Sequence, residues 1–299
     1  MKDFNFYMGQ FLEYLKYEKN YSLLTINGYK EDLMFLNDYF NKENINFLEV
    51  EYQDIRLLYN FLEDKHYSKN TIARHISSIR SFYKYLSFNK IINNNPFNMA
   101  HLPKKDKMLP KFLYYNELME MFDSINLDNF YGKRNRCILE VLYATGVRVS
   151  ELVNIKLSDI DFDNGTIKVI GKGNKERIVY FLDYPKKYML DYIKNGRNVM
   201  LNNKPCEYLF INKLGNKLTT RGVELIIKDI ISKTSIKSNV TPHTIRHTFA
   251  THLLNEGCDI MSVKELLGHE SLKATQVYTH ITNEELRNIY LNCHPRSKK

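Results

Sequence analysis

The stretch 241–278, TPHTIRHTFATHLLNEGCDIMSVKELLGHESLKATQVY, decides how the rest of the chain is read. Thr241 suits a helix N-cap, Pro242 the first helical position, and Gly257 the place just past a helix end. The spacing therefore predicts one helix over 242–256. His243 and Arg246 are three residues apart and share a face of it. A second short helix is expected from about Ile260 to Leu267, closed by Gly268, with His269 directly after the glycine. Ser271 suits the cap of a third short helix carrying Tyr278 near its end. Two histidines, an arginine and a tyrosine, each in or beside a terminal turn, suit chemistry on a phosphate. Arginine offers a planar fork for phosphate oxygens, histidine moves or shares a proton near neutral pH, and tyrosine offers a nucleophilic oxygen.

The remaining composition fits that chemistry. At 299 residues the chain has room for two domains and a sizeable core. Its 43% hydrophobic and 26% charged residues suit a soluble globular protein, and a net charge of +9 favours a polyanionic partner. Cys137, Cys206, Cys258 and Cys293 are scattered without a CxxC pair, which suggests neither a zinc site nor a disulfide framework. There is no secretory layout at the N-terminus and no apolar run long enough to span a bilayer, so no membrane is expected and a reducing cytoplasm is the natural setting. With 22 tyrosines in the chain, no single one is informative alone.

Residues 1–100 read as helical. Tyr7, Phe11, Leu12 and Leu15 lie at helical spacing; Ser22 caps a segment with Tyr29, Leu33, Leu36 and Phe40 on one side; a third segment runs from about Asp54 to Leu62. The fourth is the clearest, with Ser68 as N-cap and a stripe of Ile72, Ile76, Ile79, Tyr83 and Leu86. Charge splits this half. Residues 1–64 hold 6 Lys and Arg against 12 acids, whereas 65–100 hold 6 Lys and Arg and no acid. The fourth helix carries Asn70, Arg74, Ser77, Arg80, Ser81 and Lys84 on its polar face; a charge run is commonly a solvated face, but a whole segment without acids favours one on which Arg74, Arg80 and Lys84 meet the phosphates of a polyanion. His75 falls off that face and is expected to be structural. Residues 93–111, with Pro96, Pro103, Pro110 and four lysines, read as a basic linker between a domain at 1–92 and another at 112–299.

In the second domain a helix from about Asn135 to Ala144 stops at Gly146. Arg148 then sits at the turn into another helix, with Glu151 one turn on. Asp163-Asn164-Gly165 signals a hairpin, Ile167 and Val169 alternate as in a strand, and Gly171–Glu176 is a second turn before a strand at 177–181. Lys172 is at that turn between two glycines, which let a loop approach a ligand closely. Helices are expected at about 184–195 and 221–233. The second opens with Arg221 at its N-terminus, suited to a backbone phosphate. Thr282 and Glu285 form a capping box for a last helix, and the tail HPRSKK is basic. The fold class is therefore mainly α with a small antiparallel β-sheet.

Taken singly, each residue has a dull reading: Arg148 could simply pair with Glu151, and Lys172 could be a solvated loop lysine. The conjunction is what points to phosphoryl chemistry. No HExxH, P-loop or acidic pair is present, so fixed cations rather than a metal would have to meet the developing charge.

Four blocks, YATGVRVSEL (143–152), GKGNKER (171–177), HTIRHTFATHLL (243–254) and LLGHESLKATQVYTHI (266–281), resemble the tyrosine recombinases, or phage-integrase family. The first hundred residues resemble that family's helical core-binding domain, and the compact length and the ending HPRSKK are similar to its Xer branch. The resemblance implies a C-shaped clamp around double-stranded DNA bearing a specific recombination site. It implies that Tyr278 attacks the phosphodiester to give a 3′-phosphotyrosyl bond, and that Arg148 and Arg246 clamp the non-bridging oxygens. Lys172 would protonate the leaving 5′-oxygen, His243 would serve as acid and base toward the tyrosine, and His269 would hydrogen-bond the phosphate. Glu151 would orient Arg148 or a neighbour. Neither metal nor cofactor is implied. The implied assembly is a homo- or hetero-tetramer on two duplexes, with residues 282–294 as a helix exchanged between neighbours or, equally, an ordinary packing helix. The implied task is resolution of chromosome dimers at cell division, with a septal DNA translocase as a further partner. An integrase of a mobile element, a DNA-binding regulator on the same scaffold and a relaxing topoisomerase remain alternatives.

Overall fold

The structure, a computed structural model, describes residues 3–100, 112–171, 174–201, 204–268 and 282–297. The chain divides into two compact units, Met1–Met108 and Leu109–Lys299.

The first unit is built from α1 (Phe4–Tyr17), α2 (Leu23–Glu43), α3 (Tyr52–Asp64) and α4 (Lys69–Phe88). The hydroxyls of Ser22 and Ser68 cap α2 and α4, each accepting an amide hydrogen three residues on. All five residues of the α4 stripe are buried, together with Phe11, Leu33, Leu36 and Leu58 from the other helices. One polar cluster lies inside. Asp32 of α2 is 1% exposed and accepts from Ser78 Oγ at 2.6 Å, with His75 Nδ1 3.0 Å away and an ion pair to Arg74. His75 is buried there, away from the polar face of α4.

The expected linker begins later than residue 93. Pro96–Met99 forms a 3-10 turn, and Phe97 is fully buried with its ring 4.8 Å from that of Tyr83. A fixed proline φ suits such a turn, and the buried Phe97 ring, with hydrogen bonds from Arg80 to the carbonyls of Phe97 and Ala100, holds it against α4. Residues 101–111 lie outside the described residues.

In the second unit come α5 (Tyr115–Asp123), α6 (Phe130–Thr145) and the single turn α7 (Val149–Leu152). They are followed by the antiparallel meander β1 (Ile160–Asp161), β2 (Thr166–Ile170) and β3 (Glu176–Tyr180), in the order β1-β2-β3. Ile167 pairs with Val179 and Val169 with Arg177 across β2 and β3. Then come α8 (Asp183–Asp191), continued through a wider helical turn at 192–197 into α9 (Asn198–Leu201), and α10 (Thr220–Ile231), α11 (Pro242–Asn255), α12 (Ile260–Leu267) and α13 (Asn283–Cys293). α6 is the axis. It starts five residues earlier than its apolar periodicity suggests, because Asn129 caps it, and it is buried from Arg136 through Thr145. α11 packs along it through Ile245, Phe249 and Leu253.

α13 lies on its own unit. Leu286 and Tyr290 join the core of residues 112–297, and the Tyr180 hydroxyl donates to the carbonyl of Asn283 at 2.7 Å. Residues 294–297 beyond it are not a free basic end. His294 and Arg296 are buried, Arg296 and Arg136 both pair with the fully buried Glu140, and the Arg296 guanidinium lies 4.2 Å from the Phe122 ring centre. No described helix is long and apolar enough to cross a membrane.

Candidate active site

Three segments bring arginines together. α6 ends at Gly146, whose φ of +58° is the left-handed conformation that closes a helix and that glycine adopts without steric penalty. A Cβ there would come within 2.4 Å of the Phe249 ring, so both backbone and space demand glycine. α12 ends the same way at Gly268, φ +64°. The last carbonyls of these two helices face Arg246 from α11. Its Nη1 donates to Gly146 O and its Nη2 to Leu267 O at 2.7 Å. Helix C-termini present unpaired carbonyls and a negative dipole end, which suits a guanidinium. Arg246 is 5% exposed, and burial, with the positive charge of Arg148 beside it, pulls its pKa down to about 10.

Arg148 is the N-cap residue of α7. Its amide donates to Glu151 Oε2 at 2.8 Å and its Nη1 to Glu151 Oε1 at 2.9 Å, while Nη2 reaches Gly268 O at 3.4 Å. Arg148 and Arg246 thus touch consecutive carbonyls, those of Gly268 and Leu267. Glu151 also grips Arg177 of β3 through two parallel bonds of 2.8 Å. Burial raises the Glu151 pKa, but hydrogen bonds from Arg177 and from the Arg148 amide outweigh it and hold the carboxyl below its usual range. The carboxylate is 3% exposed and is shared by Arg148 and Arg177, whereas Arg246 beside them is held by carbonyls alone among the described residues. Among the described residues three cations stand against one anion, a surplus of positive charge that is buried at Arg246 and open to solvent at Arg148, and which an anionic ligand would neutralise.

His243 occupies the second position of α11, exposed, one turn before Arg246. His247, half-buried, has its pKa lowered by burial and by His243. Lys172, His269 and Tyr278 lie outside the described residues. The residues adjoining two of them are in place: Gly171 beside Glu151 and Arg177, and Gly268 beside Arg148 and Arg177.

The four residues expected to meet DNA differ. Arg74 is half-exposed and paired with Asp32, Lys84 is exposed, and Arg221 is exposed with Glu224 Oε2 at 2.9 Å. Arg80 has other work: its Nε donates to Phe97 O at 3.0 Å and its Nη2 to Ala100 O, so it ties the 3-10 turn to α4. Helical periodicity places a side chain on a face but does not foresee a carbonyl folding back over it.

Arg177 is the residue that sequence reasoning passed over. The signal was present, because Arg177 and Val179 are two apart on one strand and so share its inward face. An arginine there needs a buried partner.

The sequence pattern of the Phage integrase family matches residues 111–285, and that of the phage integrase N-terminal SAM-like domain matches 8–90. The chain is 48% identical over 300 residues to Tyrosine recombinase XerC of Anoxybacillus flavithermus, covering 99% of this chain and 100% of the relative. It is 43% identical over 302 residues to Tyrosine recombinase XerC of Bacillus subtilis, covering 100% and 99%. Among solved structures, the XerH site-specific recombinase bound to palindromic difH substrate is similar at 26% identity and a TM-score of 0.67, covering 94% of this chain and 83% of that one. The Tn1549 transposon integrase in complex with circular intermediate DNA shares the fold at 21% identity and a TM-score of 0.71, over 94% and 98%. With guanidinium groups gathered at two helix ends and relatives matched along the whole chain, this protein belongs to the phage integrase family and is a Xer-type tyrosine recombinase, an enzyme that cuts and rejoins DNA.

Proposed function

We propose that Tyr278 is the nucleophile and that Arg148, Lys172, His243, Arg246 and His269 complete the active site. The phenolic oxygen attacks phosphorus as its proton passes to His243, and a 3′-phosphotyrosyl bond forms. The P–O5′ bond breaks and Lys172 gives the departing oxygen a proton. Arg148 and Arg246 neutralise the non-bridging oxygens, where forked donors match phosphate geometry, and His269 adds a hydrogen bond. The bond energy stays in the phosphotyrosyl link, so religation runs the same steps backwards without ATP or metal. The observation that supports this reading is the surplus of guanidinium charge where Arg148 and Arg177 share Glu151 and Arg246 is held beside them by two helix-end carbonyls.

The substrate is double-stranded DNA with a specific site, held through Arg74, Lys84 and Arg221, and the working form is a tetramer on two duplexes, of this chain alone or with a paralogue. The setting is the cytoplasm, the task is resolution of chromosome dimers at cell division, and a septal DNA translocase is a further partner. The test uses a duplex selected from a randomised pool by binding, nicked near the cleavage point so that the cut end diffuses away. The wild-type protein should accumulate a covalent adduct in the presence of EDTA. Tyr278→Phe should bind the duplex within about threefold and form none. An adduct from that variant would overturn the assignment of the nucleophile.

A further inference from the structure

Arg177 belongs to none of the roles assigned so far, yet three segments of the site meet on it. Its two terminal nitrogens take both oxygens of Glu151, the carboxylate that holds Arg148. Its Nη1 lies against Gly171, where a Cβ would stand 3.4 Å from that nitrogen and 3.5 Å from Glu151 Oε1. The Gly171 amide in turn donates to Lys175 O at 2.8 Å, closing the neck of the β2–β3 connection, and Lys172 is the next residue in the chain. On its other side Arg177 lies under Gly268, whose Cβ, if it had one, would approach the arginine's Cδ to 2.8 Å and its Nε to 2.9 Å. That Nε is buried without a hydrogen-bond partner among the described residues.

We propose that Arg177 is a positioning residue that sets the register between the lysine-bearing β2–β3 connection and the Arg148 clamp, through its double bond to Glu151 and its contacts with Gly171 and Gly268. The inference rests on the reading of Lys172 as proton donor. The physical argument is rigidity. A lysine between two glycines has no local structure of its own to aim it unless the neck of its loop is fixed against the phosphate site, and a misplacement of about 1 Å costs roughly a hundredfold in rate. A guanidinium bonded by two parallel contacts fixes both distance and angle, which one ammonium contact does not.

The test separates proton donation from phosphate clamping. Two nicked duplexes of the selected sequence are compared, one with the normal 5′-oxygen at the scissile phosphate and one with sulfur in that position. An alkoxide needs a proton as it leaves, whereas a thiolate, whose acid has a pKa near about 8.5, leaves without one. Arg177→Met keeps length and apolar bulk, and Arg177→Lys keeps charge but not the fork. Both variants should bind DNA within about threefold of wild type. Both should cleave the oxygen substrate about 100-fold more slowly and the sulfur substrate less than about tenfold more slowly. Equal losses on the two substrates, or no loss on either, would overturn the proposal. If Arg177→Met melts too early to assay, the same comparison on Arg177→Lys decides. A wild-type protein that forms no adduct with either duplex would instead sink the functional reading, so the two failures are distinguishable.

Discussion

Arg246 hangs from Leu267: its Nη2 donates to that carbonyl at 2.7 Å while its Nη1 holds the carbonyl of Gly146. A single side chain thus joins the ends of α6 and α12, and only a forked donor reaches both. Arg246→Lys should therefore lower strand cleavage by about 100-fold or more while changing DNA affinity less than tenfold, since one lost donor at a developing charge costs about 10²–10³. Single-turnover adduct formation on the nicked duplex measures this. Cleavage within tenfold of wild type would remove Arg246 from the clamp.

The surplus charge around Glu151 predicts an anion effect without any DNA. Arg246 already has a pKa drawn down to about 10 by burial and by Arg148, so a bound dianion relieves an existing cost. Sulfate should raise the melting temperature more than chloride at equal ionic strength. At ten times its Kd the bound ion contributes about 1.4 kcal/mol. Arg148→Ala should lose the excess over the general salting effect that all variants share. An undiminished response in that variant would place the anion elsewhere.

Gly146 answers to sterics alone. At φ +58°, with Phe249 Cδ1 2.4 Å from where a Cβ would sit, Gly146→Ala adds a left-handed penalty of about 1–2 kcal/mol to a clash with a buried ring. Chemical denaturation should show a loss of at least about 2 kcal/mol. A loss below about 0.5 kcal/mol would mean that the ring yields freely.

Acid should loosen the C-terminal tail. Burial, with Arg296 beside it, pulls the His294 pKa to about 3, and its Nδ1 accepts the Arg296 amide at 3.2 Å. Between that value and an unfolded value near about 6.5, the unfolded chain binds the extra proton. The stabilising effect is full above about pH 6.5 and is lost as pH falls, by about 2 kcal/mol at pH 5. Glu151, held below its usual range, adds a second loss that begins lower, near its unfolded value of 4.5. Unfolding followed by near-ultraviolet signal from pH 7 to 5 should slope downward, and His294→Phe should reduce the slope without abolishing it, because burial also lowers the pKa of His247 and His252. An equal slope in both proteins would reassign the acid sensitivity.

On the first unit, Lys84 and Arg80 should separate. Lys84→Ala should weaken binding evenly across DNA sequences and reduce the logarithmic salt slope by about 1, as expected for one lost phosphate contact. Arg80→Ala should lower the melting temperature instead, because it frees the carbonyls of Phe97 and Ala100. A salt slope unchanged by Lys84→Ala would take that lysine off the DNA face.

Local rules made much of this chain legible. Ser22, Ser68, Thr241 and Thr282 cap the helices that they precede, Gly257 and Gly268 end theirs, and Asp163-Asn164-Gly165 turns between β1 and β2. These are interactions within four residues, so the sequence by itself determined them, and with them the helical first unit, the meander and the family. Only the tertiary structure decided which charges meet. The grip of Glu151 on Arg177 spans 26 positions, that of Arg246 on Gly146 100, and that of Arg296 on Glu140 156. No periodicity encodes such pairs, because a guanidinium reaches whatever carbonyl or carboxylate the packing brings near. For the same reason Arg80 binds the carbonyls of Phe97 and Ala100, and His294 and Arg296 of the basic tail are buried in a core.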